Sequence, residues 1–160
     1  MRYYALFVGA LIATLPHTPI AFAGSSGTQT DAEVVLEATD GRMKSTKGNY
    51  IDACGESQEY DTEVVDLNGD GQPEVFTGLS GLCMGGMSGN YMELYIKKKS
   101  GQWEPQFGFA GVPVTLKTKN KGYPDIVIGG PGFCFPVWRW NGQKYLLDRF
   151  EYDGKACTPR

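Results

Sequence analysis

Eight residues of this chain, Gly71 to Gly78 (G-Q-P-E-V-F-T-G), recur 51 positions later as Gly122 to Gly129 (G-Y-P-D-I-V-I-G). The register continues without a gap, so that Gly81-Leu82-Cys83 falls on Gly132-Phe133-Cys134. Farther on, Ser100-Gly101-Gln102-Trp103 matches Asn141-Gly142-Gln143-Lys144-Tyr145, the second copy being shorter in between. Several glycines coincide by chance in a glycine-rich chain, but the shared G-x-P-[ED] and the in-register cysteines point to duplication. A duplicated chain of 160 residues has room for two small units sharing one core, not for two full domains.

The texture of each copy fixes what kind of unit it is. Short runs rich in Val, Ile, Phe, Tyr and Trp alternate with Gly, Pro, Asn and Asp clusters, which is the pattern of strands and tight turns. Strands are expected at Glu63–Leu67, Glu74–Thr77, Tyr91–Lys97, Val112–Lys117, Asp125–Ile128, Val137–Trp140 and Tyr145–Phe150, with Asn141-Gly142 as a hairpin turn. Ahead of them, Asp31 to Ala38 spaces its Ala, Val and Leu as a short helix does, with Thr30 or Asp31 as N-cap and Asp40-Gly41 as the stop. The expected fold is mainly β (α+β): an antiparallel sheet or sandwich of two duplicated hairpin units, at about 60–110 and 111–152, with one short N-terminal helix.

The first residues are of another kind. Arg2, the apolar run Ala5 to Leu15 and Ala21-Phe22-Ala23 form the charged, hydrophobic and cleavage regions of a secretory signal peptide over 1–23. The run is too short to span a bilayer, and no later stretch is long enough. Residues 24–30 then read as a flexible tail and 31–160 as one β-rich domain. The chain has one histidine, His17, inside that leader. A mature protein without histidine lacks the usual general base and any Ser-His-Asp or Cys-His arrangement. Without Arg2 it carries 14 basic and 18 acidic side chains, a balance that argues against nucleic acid as a partner.

The most specific motif is Asp66-Leu-Asn68-Gly-Asp70-Gly71-Gln72-Pro73-Glu74. Side-chain oxygens at positions 1, 3 and 5, glycine at 6, a backbone carbonyl at 7 and an acid at 9 are what a curled loop offers a hard cation. Asp66, Asn68, Asp70, Gln72 and Glu74 are thus the candidate ligands, and three carboxylates with one amide suit Ca²⁺ better than Mg²⁺. An Asp/Asn/Gly-rich hairpin loop holding no metal is the alternative. It is not an EF-hand: position 12 is Thr77, Pro73 sits at position 8, and Val64, Val65, Val75 and Phe76 flank it as strand residues. In the second copy Asp66, Asn68 and Asp70 become Lys117, Lys119 and Lys121, while Glu74 becomes Asp125. That loop is expected to hold no cation; Lys121 or a neighbour would pair with Asp125, and the lysines would line an exposed edge strand, the alternative being an anion- or partner-docking patch.

The loop resembles the calcium loops of FG-GAP and VCBS repeats, found in integrin-type propellers and in many secreted bacterial proteins. That resemblance implies the same ligands, Asp66, Asn68 and Asp70 with Glu74 by side chain and Gln72 by its carbonyl. A propeller needs at least four blades, and this chain has two units. The longer stretch from Gly122 to Leu147, with G-Y-P-D-I-V-I-G-G-P-G-F-C, resembles small exported proteobacterial proteins that pair such a loop with a G-x-P-D-I-x-V-G-G-P-G-F-C segment. It implies a calcium-loop protein, periplasmic or secreted, and no particular activity.

Four cysteines in an exported chain argue for two disulfides. A hairpin through the calcium loop pairs residues whose numbers sum to about 138–140, and Cys54 with Cys83 sum to 137. That favours Cys54–Cys83 with Cys134–Cys157, the rival being Cys83–Cys134 with Cys54–Cys157. Phe133, Phe135, Trp138, Trp140 and Tyr145 form an aromatic cluster whose expected place is the core. Gly129 to Gly132 lacks the following Lys-Ser/Thr of a phosphate loop, and Met84–Met87 reads as a flexible loop. The functional expectation is a monomeric, non-enzymatic, calcium-binding module for a protein or cell-envelope ligand. The alternatives are an inhibitor or immunity protein against an envelope enzyme, and a cell-wall glycan hydrolase using two among Glu56, Glu59, Asp61 and Asp125.

Overall fold

The structure is a computed structural model, and it describes residues 28–159. The signal-peptide reading of 1–23 and most of the tail lie outside the described residues. Helix α1 spans Asp31–Ala38 and opens with a capping box: the Thr30 side chain accepts from the Glu33 backbone N–H while the Glu33 carboxylate accepts from the Thr30 N–H. Asp40 and Gly41 both take positive φ and end it where the sequence places the stop.

Ten strands follow: β1 Lys47–Ile51, β2 Ser57–Val65, β3 Glu74–Ser80, β4 Asn90–Lys97, β5 Trp103–Ala110, β6 Val112–Asn120, β7 Tyr123–Gly129, β8 Phe135–Trp140, β9 Tyr145–Tyr152 and β10 Lys155–Ala156. They form two antiparallel meanders of five, β1 to β5 and β6 to β10. One helical turn, α2 (Leu82–Gly85), continues into a 3-10 turn between β3 and β4. This corrects the expectation of a single helix and of a plain loop at Met84–Met87.

The duplication is visible in the register. β3 pairs Val75 with Tyr95 and Phe76 with Leu94, while β7 pairs Ile126 with Trp138 and Val127 with Val137. Next, Leu94 faces Phe107 on β5, and Val137 faces Arg149 on β9. So β2–β5 and β6–β9 are the two copies, with β1 and β10 added at their outer edges. The shortening of the second copy falls mainly between β7 and β8, where a plain loop stands in place of α2 and its 3-10 turn.

The copies stack head to tail. Phe76, Leu94, Ile96 and Phe107 of the first sheet meet Ile126, Ile128, Trp140 and Tyr145 of the second, with Trp138 packed alongside. The equivalents of Ile126 and Trp138 in the first copy, Val75 and Tyr95, lie on its other face, in a separate cluster under α1 with Val34, Val35, Ala38 and Leu79. Each unit therefore gives a different face to the shared core, an arrangement that leaves two open ends. Helix α1 covers one. At the other, Val127 and Val137 alternate with the inward Ile126 and Trp138, and the residues equivalent to Ile96 and Phe107 are Arg139 and Arg149. A polar outer face on a terminal repeat is what stops a stack from growing.

Both disulfides stay within a unit, Cys54–Cys83 and Cys134–Cys157, the pairing that the ladder arithmetic favours. Each in-register cysteine is tied to the outermost edge of its own sheet, beside β1 in one unit and after β10 in the other. Trp140 and Tyr145 are buried as expected of the aromatic cluster, whereas Phe133 is half exposed, its ring against that of Tyr152. Among the described residues no helix is long and apolar enough to cross a membrane.

Candidate functional site

The loop between β2 and β3 is shaped by its own side chains. Both oxygens of Asp66 accept backbone N–H groups across the curl, Oδ1 from Gly69 at 2.7 Å and Oδ2 from Gly71 at 2.9 Å. Asn68 Oδ1 takes the Asp70 N–H at 2.7 Å, and Asp70 Oδ1 takes the Gln72 N–H at 2.8 Å. Gly69 and Gly71 sit at φ +80° and +84°, a conformation costly for a residue with a Cβ. The backbone N–H of Gly71, ahead of those of Gly69 and Asp70, holds the Asp66 carboxyl below its ordinary range.

Glu74 is different in kind. It is 2% exposed, its Oε2 accepts the Leu67 N–H at 2.8 Å, and its Oε1 accepts the Tyr123 hydroxyl at 2.8 Å. Burial pushes its carboxyl up; the two hydrogen bonds oppose that, and the nearby charges of Asp70 and Asp66 add to it. Tyr123 belongs to the second unit and packs at a tilt against Trp140, with ring centroids 4.5 Å apart. The last acid of the loop is therefore bonded directly to the core between the two copies.

Asp66, Asn68, Asp70, Gln72 and Glu74 thus lie around one loop, linked by hydrogen bonds, and every donor they offer a cation is oxygen. In kind and in charge the set fits a hard cation. The three carboxylates do not yet converge. Among the described residues, the one trio of acid and cysteine ligand atoms within 4.8 Å is Asp52 with Cys54 and Cys83, whose sulfurs are joined in a disulfide. To ligate together, Asp66, Asp70 and Glu74 have to draw closer than they stand here.

The second copy supplies the contrast. The segment 117–121 forms the end of β6 and a tight turn, with Lys121 and Gly122 at φ +48° and +93°. β6 is an edge strand with exposed Lys117 and Lys119. The expected lysine partner of Asp125 is not there: Lys121 Nζ donates to the Asn141 carbonyl at 2.6 Å. Asp125, fully buried, is instead held by Arg139 through two hydrogen bonds (3.0 and 2.7 Å), by Arg149 at 3.1 Å and by the Thr118 hydroxyl at 2.7 Å. A planar guanidinium matches both carboxylate oxygens, which an ammonium cannot. Burial pushes the Asp125 carboxyl up, but the bonds from Arg139, Thr118 and Arg149 outweigh it and hold it at about 2. So low a value leaves Asp125 poorly suited to general acid or base work.

Tyr123, Arg139 and Arg149 escape a reading of the sequence, although the repeat holds a signal for each. Tyr123 stands where the first copy has Gln72, and the two arginines stand where it has Ile96 and Phe107. Beside the loop, at the seam of the sheets, a cleft of 890 Å³ opens between Asn68, Asp70 and Gln72 on one wall and the β4–β5 turn, Lys97 to Ser100, on the other. Tyr123 and Trp140 lie at its floor, with Lys121 and Gln143 on the third side. The chain matches no protein-family model, no curated protein and no solved structure.

Proposed function

We propose that this protein is an exported, non-enzymatic calcium-binding module of the periplasm or secreted space that presents a protein- or envelope-ligand-binding surface. One Ca²⁺ is held by Asp66, Asn68 and Asp70, the Gln72 carbonyl and Glu74. The observation that carries this reading is Glu74, a buried carboxylate bonded to Tyr123 of the other unit and raised further in pKa by the nearby charges of Asp70 and Asp66. An acid that destabilises its own loop when ionised is matched by a cation that neutralises it. Because Glu74 also contacts the inter-unit core, the ion acts as a staple between the two copies, so that binding and stability are coupled. The Asp125 position, with its own internal guanidinium counter-ions, needs no metal. The two disulfides agree with an oxidising compartment. Thermal melts in calcium and in chelator test this reading: the oxidised protein melts higher in calcium, and Asp70→Ala abolishes the difference. Identical melts for the unsubstituted protein in both buffers overturn it.

A second reading, an inhibitor of an envelope enzyme, is favoured by the disulfide-anchored turn at α2. Leu82 is 76% exposed beside Cys83, and Met87 is 91% exposed. A rigid loop offering bare apolar side chains suits insertion into a partner's pocket. Loss of a purified lytic enzyme's activity on adding this protein, restored by Leu82→Ser, would favour it.

A further inference from the structure

The cleft beside the loop has the size of a small-ligand site and an uneven charge. Of the four lysines lining it, Lys97 is turned to Glu37 at 3.0 Å and Lys98 to Glu104 at 2.7 Å. Lys99 has no ion pair among the described residues and Lys121 is bonded to a neutral carbonyl, so two cations on two separate hairpin tips stand without a carboxylate in ion-pair contact, and the four lysines outnumber the two acids that line the cleft, Asp70 and Glu104. Lys121 is also a fixed group. Its Nζ is 2.6 Å from the Asn141 carbonyl, and its stem lies so close to Gly142, at φ +107°, that a Cβ there would stand 3.0 Å from it. In a chain of net charge −3 these cations form a local exception. Between them lie the edges of Tyr123 and Trp140 and the amides of Gln72 and Gln143.

The geometry points to this cleft as a binding site for an acidic oligosaccharide. Lys99 and Lys121 take sugar carboxylates, Gln72 and Gln143 take ring hydroxyls, and the largely buried Tyr123 and Trp140 close the floor beneath them. This reaches past the proposed function by naming the ligand class, and none of the side chains it uses, Lys99, Lys121, Gln72 and Gln143, is a candidate side-chain ligand of the loop's cation. A neutral sugar leaves the two lysines unanswered, and a bare anion leaves the amides unused.

The test is titration of the oxidised protein with trigalacturonate in metal-free buffer, read by calorimetry and tryptophan fluorescence. The fully methyl-esterified trisaccharide and inorganic phosphate serve as comparisons. Trigalacturonate is expected to bind about tenfold or more tightly than its ester, since one charge-assisted bond is worth that much. Lys99→Gln with Lys121→Gln should weaken it about as strongly, and Lys99→Gln alone should weaken it while leaving the melting point and the calcium response unchanged. Equal binding of acid and ester, phosphate binding as tightly as the trisaccharide, or no binding of trigalacturonate each overturns the assignment. The calcium response of the same sample reports separately on the loop.

Discussion

Replacing Asp125 with asparagine isolates the device that closes the second unit. The side chain keeps its shape, but the anion between Arg139 and Arg149 is gone. A buried carboxyl held at about 2 against an ordinary 3.8 corresponds to about 2 kcal/mol of stability contributed by the ionised form. The arginines are 38% and 29% exposed and recover water when the anion is lost, so the cost stays below that of breaking a fully buried pair. Asp125→Asn should therefore lose about 2 kcal/mol at pH 7, or about 8 °C in melting temperature for a domain of this size. The pH dependence has a defined direction. Because the folded-state value is depressed, the contribution is fully present above 3.8 and disappears as pH falls through about 2. Urea unfolding followed by tryptophan fluorescence at pH 7, 4 and 2.5 should show the two proteins converging as the medium acidifies. A difference under about 0.5 kcal/mol at pH 7, the range of an ordinary surface substitution, would mean that the Asp125 anion does not hold the second unit closed.

Tyr123→Phe removes the hydroxyl that bonds Glu74 and should cost about 1.5 kcal/mol in chelator, measured by denaturant unfolding. Gly85→Ala should destabilise by about 2 kcal/mol in the same assay, because a Cβ there would meet the backbone nitrogen of Asn90 at 2.3 Å. Serine at both Cys54 and Cys83 frees residues 29 apart and should cost about 3.5 kcal/mol if unfolded-chain entropy dominates, read as a lower denaturation midpoint.

The helix, its caps, the core strands and the duplication were legible because each carries a local signal: Thr30 with Glu33, the G-x-P-[ED] strings, and Val-, Ile- and Tyr-rich runs. What stayed hidden lacks one. β1 reads K-G-N-Y-I, too polar to announce a strand. β5 contains Pro105 and Gly108, which discourage the assignment, yet β5 is an edge strand, where proline is tolerated. The Tyr91 hydroxyl, at the far end of its side chain, lies over Gly108 where a Cβ would stand. At the loop, spacing alone yields the ligand set, but not the bond from Glu74 to Tyr123, which exists only once the two sheets are stacked. The same holds for Asp125: the repeat placed a lysine near it, and the fold brought two arginines from β8 and β9 instead.

In the proposed function one copy of the duplicated loop is a calcium staple and the other is not. Calorimetric titration of the oxidised protein with Ca²⁺, beside Asp70→Ala and Lys119→Ala, tests that contrast. The expected result is one ion per chain, binding abolished by the first substitution and unaffected by the second. Absence of heat in the unsubstituted protein, or a stoichiometry of two, would contradict it.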